Sequence, residues 1–161
     1  MMETKEAIGR LKKLALEDNR MKYPTFPEHC RPAFAYSDKK ANGLTKCITD
    51  FVNFSGYQAE RISTMGRVID NRESYINVIG QTVTMGSTKY IPGTGTKGSA
   101  DISATIMGRS VKIEVKIGAD RQSPNQKSYQ MAIEKAGGVY IIAKTFPDFL
   151  EWYDNFIILH S

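Results

Sequence analysis

The stretch GSADISATIMGRSVKIEVKIGADRQSPNQKSYQMAIEKAGGVYII, residues 98–142, decides how this chain is read. Asp101–Ile106 alternates polar and apolar residues, MGRS (107–110) supplies turn residues, and Val111–Ile117 alternates again. Two alternating runs around a short turn predict a β-hairpin. Ser123-Pro124 then opens a predicted helix to about Ala136, with proline near its first position. Gly137-Gly138 stops that helix, and Val139–Lys144 reads as a short apolar strand that is buried.

The hairpin's register follows from its faces. Ile102, Ala104 and Ile106 must lie opposite Val111, Ile113 and Val115, because a one-residue slip turns a strand over. With MGRS as the loop, Ile102 pairs with Val115, Ala104 with Ile113 and Ile106 with Val111. Asp101 then lies across from Lys116, with Glu114 its diagonal neighbour on the same face. Two carboxylates and a lysine converge at the hairpin's open end. Paired carboxylates suit Mg²⁺ or Mn²⁺, which prefer oxygen ligands. A divalent ion polarises a phosphodiester oxygen and lowers the pKa of a coordinated water, while a lysine orients that water and stabilises developing charge. These are the parts of metal-assisted phosphodiester hydrolysis. The acid-x-Lys tripeptide alone is unspecific: Glu3-Thr-Lys5 and Asp38-Lys-Lys40 also match. Only Glu114-Val-Lys116 sits on a predicted strand paired with one that opens on Asp. The competing reading is a surface salt-bridge ladder between Asp101, Lys116 and their neighbours.

Outward from the hairpin, residues 4–22 predict a helix with Ile8, Leu11, Leu14 and Ala15 at helical spacing. Pro24, Pro27 and Pro32 make 23–37 an irregular connector whose aromatics dock on the body. Asp38 is the expected cap of a helix through about Phe54, with an apolar face of Leu44, Cys47, Ile48, Phe51 and Val52; Gly56 ends it. Tyr57–Thr64 reads as a strand, and Met65-Gly66 as a turn into Arg67–Asp70. Strand-like pieces at Tyr75–Ile79 and Gln81–Met85 precede a glycine- and threonine-rich loop, IPGTGTKGS (91–99). Pro147 starts a last helix bearing Phe149, Leu150, Trp152, Tyr153, Phe156 and Ile157. The order predicts an α/β chain with a mixed sheet.

With 161 residues, 41% hydrophobic and 24% charged, the chain has the composition of a globular protein with one core. It has no apolar run near the roughly 20 residues of a membrane span, and its first residues lack the apolar stretch of a secretory leader. Cys30 and Cys47 form neither a disulfide framework nor a zinc motif, so a cytoplasmic protein is expected. Net charge is +5. Arg109–Lys127 holds five bases against two acids, whereas Asp148, Glu151 and Asp154 near the end have no basic neighbours, the asymmetry a phosphate-facing surface requires.

The 98–142 stretch resembles the core of the PD-(D/E)XK nuclease superfamily, and is most similar to its VRR-NUC branch and to archaeal-type Holliday-junction resolvases. The shared features are small residues before an Asp, a hairpin, an apolar-Glu-Val-Lys strand, a Ser/Pro-x-x-Gln helix and a Gly-Gly strand; the similarity spans about residues 40–145. The resemblance implies a restriction-endonuclease-like core: a central mixed sheet flanked by helices, with an extra N-terminal helix. It would be one domain, with a helical arm and proline-rich connector at 1–37 and a nuclease core at 38–161. Asp101 and Glu114 would hold Mg²⁺ (or Mn²⁺), the Val115 carbonyl would complete the protein ligands, and Lys116 would position the nucleophilic water. Gln126 matches a further polar residue near the scissile phosphate. Two departures stand out. The family's first core helix usually supplies a Glu, and that place falls near Asn42 or Thr45; Asn42 offers only an amide oxygen. Ala100, not proline, precedes Asp101.

Lys97, in the glycine-rich loop, and Arg121, Gln122 and Lys127, flanking the helix start, are the expected phosphate contacts; Arg61 and Arg67 are further candidates. The basic face of the first helix reads as solvated, Trp152, Tyr153 and Phe156 as core, and Tyr129 as packing on the sheet. His29 and His160 are isolated, and no nucleotide-binding motif is present. The expectation is a DNA endonuclease for branched or junction DNA, in family analogy a homodimer, of a kind that suits a phage or mobile element. The alternatives are a non-catalytic nucleic-acid-binding module on the same fold, and an exonuclease or RNA-processing nuclease.

Overall fold

The computed structural model describes residues 2–63, 66–93 and 95–161. The chain divides into two compact units, Met1–Ile62 with Gly98–Ser161, and Ser63–Lys97. The first is mixed α/β: α1 (Thr4–Lys22), α2 (Ala41–Phe54), β1 (Gln58–Arg61), then, after the second unit, β6 (Ile102–Ile106), β7 (Arg109–Val115), α3 (Pro124–Lys135), β8 (Val139–Ala143) and α4 (Phe146–His160). Its four strands run in the order β1-β6-β7-β8; β7 pairs antiparallel with β6 and parallel with β8. The second unit holds β2 (Arg67–Asp70), β3 (Glu73–Ile76), β4 (Thr82–Met85) and β5 (Thr88–Ile91) in two antiparallel pairs, β2 with β5 and β3 with β4. β5 is absent from the sequence expectation, and the Met65 half of the expected Met65-Gly66 turn lies outside the described residues.

One face of the four-stranded sheet builds the core. Ile102, Ala104, Ile106, Val111, Ile113, Val115 and Ala143 all point into it. They meet the α2 face predicted from spacing, of which Leu44, Cys47, Ile48, Phe51 and Val52 are all fully buried. Phe51 is the hub, making edge-on contacts with Phe146, Phe149 and Tyr153 at centroid distances of 5.9, 6.2 and 5.1 Å. Truncating such a ring costs about 3–5 kcal/mol. Arg10 of α1 stands 5.1 Å over the same ring and makes a two-pronged ion pair with Asp154 of α4, at 2.6 and 2.8 Å. Tyr153 and Phe156 are buried and Trp152 packs against the core, as expected.

Two local expectations need correction. Asp38 does not cap α2: the capping position is Lys40, with no side-chain bond, and the Asp38 carboxylate instead accepts from the Phe146 backbone N–H at 3.2 Å. That bond ties the connector to the start of α4. The hairpin register is also shifted by two residues, with Ile102 opposite Ile113 and Ile106 opposite Arg109. The loop is therefore Met107-Gly108, both left-handed with φ of 52° and 73°. A two-residue loop with both φ positive follows the right-handed twist of the strands better than a four-residue MGRS loop, and Gly108 makes it accessible. The even shift keeps every apolar residue inward. Met107 accepts the strain while its sulfur takes a contact from the Tyr57 hydroxyl at 2.9 Å.

The two cysteines report on this core. Cys47 is fully buried and its thiol is pushed up to about 11, first by burial, whereas Cys30 is exposed. In native protein a thiol reagent at neutral pH should label Cys30 alone, and denaturant should release the second equivalent; rapid native labelling of Cys47 would contradict the packing of α2.

Candidate active site

On the sheet face opposite the core, alternation presents Asp101, Ser103, Lys112, Glu114, Lys116, Tyr140, Ile142 and Lys144. α3 starts above it, and its sequence fixes that start. Ser123 and Gln126 form a reciprocal capping box: the Ser123 hydroxyl accepts from the Gln126 backbone N–H, and the Gln126 Oε1 accepts from the Ser123 N–H at 2.8 Å. Capping leaves the Gln126 Nε2 free to donate to Glu114 Oε1. Gly98 brings the other wall in. With φ +78°, a side chain there would sit 2.4 Å from the Asn125 backbone and 2.7 Å from the Gln126 nitrogen, so only glycine lets the segment entering Asp101 lie against the first turn of α3.

The structure brings Asp101, Glu114, Lys116 and Gln126 together. In the observed register Asp101 lies beside Glu114, not Lys116, because the shorter loop advances β7 by two residues. Asp101 is fixed twice: its carbonyl accepts from the Ile62 N–H at 2.8 Å and its Oδ2 from the Val115 N–H at 2.9 Å. Glu114 is 1% exposed. Its Oε1 faces Lys116 Nζ at 3.1 Å together with Gln126, and its Oε2 accepts from the Tyr140 hydroxyl at 3.3 Å. Burial, with repulsion from Asp101, raises the Glu114 pKa against the pull of Lys116. Burial works against the Lys116 charge, but its bonds to Glu114 and to Asp120 (3.2 Å) prevail and raise its pKa. Lys116 is therefore a cation at neutral pH and not a proton acceptor. Tyr140 stays a neutral donor, pushed up to about 12 chiefly by burial.

The remaining expected residues fall in three places. Arg121, Gln122 and Lys127 join Lys116, Asp120, Ile142 and Lys144 around a cleft of about 320 Å³. Gln122 also donates to Gln130 at 2.9 Å and to the Tyr140 hydroxyl at 3.4 Å. Asn42, at the start of α2, accepts from Arg61 at 2.8 Å, and no hydrogen bond joins it to Asp101 or Glu114 among the described residues. Thr45 is buried and bonds the Ala41 carbonyl of its own helix at 2.9 Å. Arg67 and Lys97 belong to the second unit, where both are exposed. Tyr129 packs edge-on against Tyr140 at 6.3 Å. Tyr140 and Lys144 were not among the expected site residues. Their placement follows from the parallel pairing of β8 with β7, which puts residues 140, 142 and 144 on the Glu114 face.

The donor set fits a hard divalent cation. Asp101 Oδ1 has no hydrogen-bond partner among the described residues, each Glu114 oxygen accepts from neighbouring donors, and all are carboxylate oxygens. No cluster of three or more His, Cys, Asp or Glu occurs among the described residues, so an ion here would depend on two carboxylates, a backbone carbonyl and water. Among the described residues no helix is long and apolar enough to cross a membrane.

The raised Glu114 pKa sets a pH signature. The folded chain holds this proton more tightly than the unfolded chain, so the group favours folding most below its ordinary value of 4.5 and less as pH rises through the higher folded value. In metal-free buffer the urea midpoint of the wild type should therefore fall relative to Glu114→Gln between about pH 4 and about pH 7; the opposite drift would mean that Lys116 and Tyr140 over-compensate the burial. Set against known proteins, the chain matches no family model, and no curated protein is significantly similar to it in sequence.

Proposed function

We propose that this protein is a divalent-metal-dependent DNA endonuclease of PD-(D/E)XK type, acting on branched or junction DNA. The observation that supports it is the meeting of Asp101, Glu114 and Lys116 at one end of β6 and β7, with Glu114 buried and gripped by Lys116, Gln126 and Tyr140. A buried ion pair contributes little net stability compared with an apolar pair of the same size, so stability alone does not account for this arrangement. Mg²⁺ would be held by Asp101, Glu114 and the Val115 carbonyl, with Mn²⁺ able to substitute, and supplies Lewis acidity and a more acidic bound water.

The chain's own residues do the rest. Lys116, a persistent cation, orients the attacking water and stabilises charge on the phosphate oxygens. Gln126 and Tyr140 fix the Glu114 carboxylate through one oxygen each, so its orientation needs no rearrangement during the reaction. Arg121, Lys127 and Lys144 line the cleft beside Lys116 with positive charge, where neighbouring phosphates would lie. Asn42 in place of an acidic residue, held by Arg61, favours a second reading, a DNA-binding module without turnover.

Cleavage of labelled linear duplex, single strand, flap and four-way junction with Mg²⁺, Mn²⁺ or EDTA separates the two. Metal-dependent cutting that falls by at least about 10²-fold in Lys116→Ala is expected, with junction or flap preferred. Binding of DNA without cutting under either metal would replace the nuclease by the binding module.

A further inference from the structure

Both oxygens of Glu114 are served from one stripe of α3. Gln126, Gln130 and Glu134 follow one another at four-residue spacing and so share a face of that helix. Gln126 donates directly to Glu114 Oε1. The other two act at a distance. Gln130 Nε2 donates to Glu134 Oε1 at 2.8 Å, and Gln122 Nε2 donates to Gln130 Oε1 at 2.9 Å. The same Gln122 nitrogen donates to the Tyr140 hydroxyl at 3.4 Å, and that hydroxyl donates to Glu114 Oε2 at 3.3 Å. Four hydrogen bonds thus run without a gap from an exposed carboxylate on α3 to the buried one on β7.

Their direction follows from the chemistry of the groups. A carboxylate can only accept, so Gln130 must turn its NH₂ to Glu134 and its carbonyl oxygen to Gln122. That oxygen needs a donor, which fixes the Gln122 carboxamide with its NH₂ inward and leaves the second hydrogen for the Tyr140 oxygen. A phenol has one proton. With a donor on its oxygen, Tyr140 turns that proton to Glu114, and Tyr129 packs edge-on against its ring at 6.3 Å. Bonds aligned head to tail polarise one another and strengthen the last in the chain. Gln122 lines the cleft, yet both hydrogens of its amide are committed inward and not to a phosphate. We propose that Gln122, Gln130 and Glu134 are positioning residues for Glu114, acting through Tyr140 to fix the orientation of its carboxylate and so raise the affinity of the site for a divalent cation. The inference rests on the reading of Asp101 and Glu114 as a cation site and does not depend on DNA.

Calorimetric titration of the full chain with Mn²⁺, without DNA, tests it. Tyr140→Phe, Gln122→Leu and Glu134→Lys should each weaken binding by about tenfold, the effect of losing a group that supports a metal ligand. Glu134→Lys is the most telling of the three. An ammonium can only donate, so it turns over Gln130 and then Gln122, and the Tyr140 proton goes to Gln122 in place of Glu114. Added to Tyr140→Phe, neither Gln122→Leu nor Glu134→Lys should weaken binding by more than about a further twofold, because the chain is already cut. Glu134 is exposed and phenylalanine keeps the Tyr140 ring, so Cys47 should stay as protected from thiol reagents as in the wild type. Single variants that bind as tightly as the wild type overturn the proposal. So does a full tenfold loss repeated in the Tyr140→Phe background, which would mean that Gln122 and Glu134 act through their own charge or contact. A wild type that binds no Mn²⁺ removes the cation site itself, and the proposal with it.

Discussion

A carboxylate that is 1% exposed must be met by donors, and the face of the sheet beneath α3 is organised around meeting Glu114. Lys116 just past the end of β7, Tyr140 on the parallel neighbour β8 and Gln126 on α3 reach it from three directions. Each of those groups is fixed in turn: Lys116 by Asp120, Tyr140 by Gln122, and Gln126 by its capping box with Ser123. Gly98 matters for the same reason, since only a missing side chain lets the approach to Asp101 lie against Gln126. The opposite face needs no such provision, because Val111, Ile113 and Val115 meet α2 through apolar contact alone. One strand thus serves a close-packed core on one side and a polar network on the other.

Much of this was legible from the sequence where a local rule decides the outcome. The face of α2 follows from spacing, the start of α3 from Ser-Pro-x-Gln, and the inward residues of the hairpin from parity. What parity does not determine is which even shift is adopted. That choice depends on the energy of the turn, and Met107-Gly108 favours the tighter loop although methionine is a poor residue for positive φ. Asp101 consequently meets Glu114 and not Lys116, yet the same three side chains converge, because a two-residue shift keeps them on one face. Asp38 illustrates the opposite limit: its chemistry suits a cap, but a partner 108 residues away takes its carboxylate. Tyr140 and Lys144 depend on the parallel pairing of β8, which apolar periodicity does not encode. The pairings of β2 with β5 and of β3 with β4 were likewise hidden, since glycines and an unpredicted β5 interrupt the alternation.

The electrostatics bear on how such a site would act. Lys116 is held as a cation by Glu114 and Asp120, while burial and Asp101 raise the Glu114 pKa against that pull. Asp101 and Glu114 would hold a divalent ion, whose charge would offset the repulsion that raises Glu114, and Lys116 beside them already lines the cleft it shares with Arg121, Lys127 and Lys144. On this account metal binding and the positive cleft are coupled, and Lys116 is the residue common to both.

The central claim is that Asp101 and Glu114 together bind a divalent cation. The most direct measurement is titration of the protein with Mn²⁺, followed by loss of the free-ion electron paramagnetic resonance signal, with no DNA present. The account predicts saturable binding that competes with Mg²⁺ and weakens about tenfold or more in both Asp101→Asn and Glu114→Gln. Wild type that leaves the Mn²⁺ signal unchanged, or variants that bind as tightly as the wild type, would contradict it.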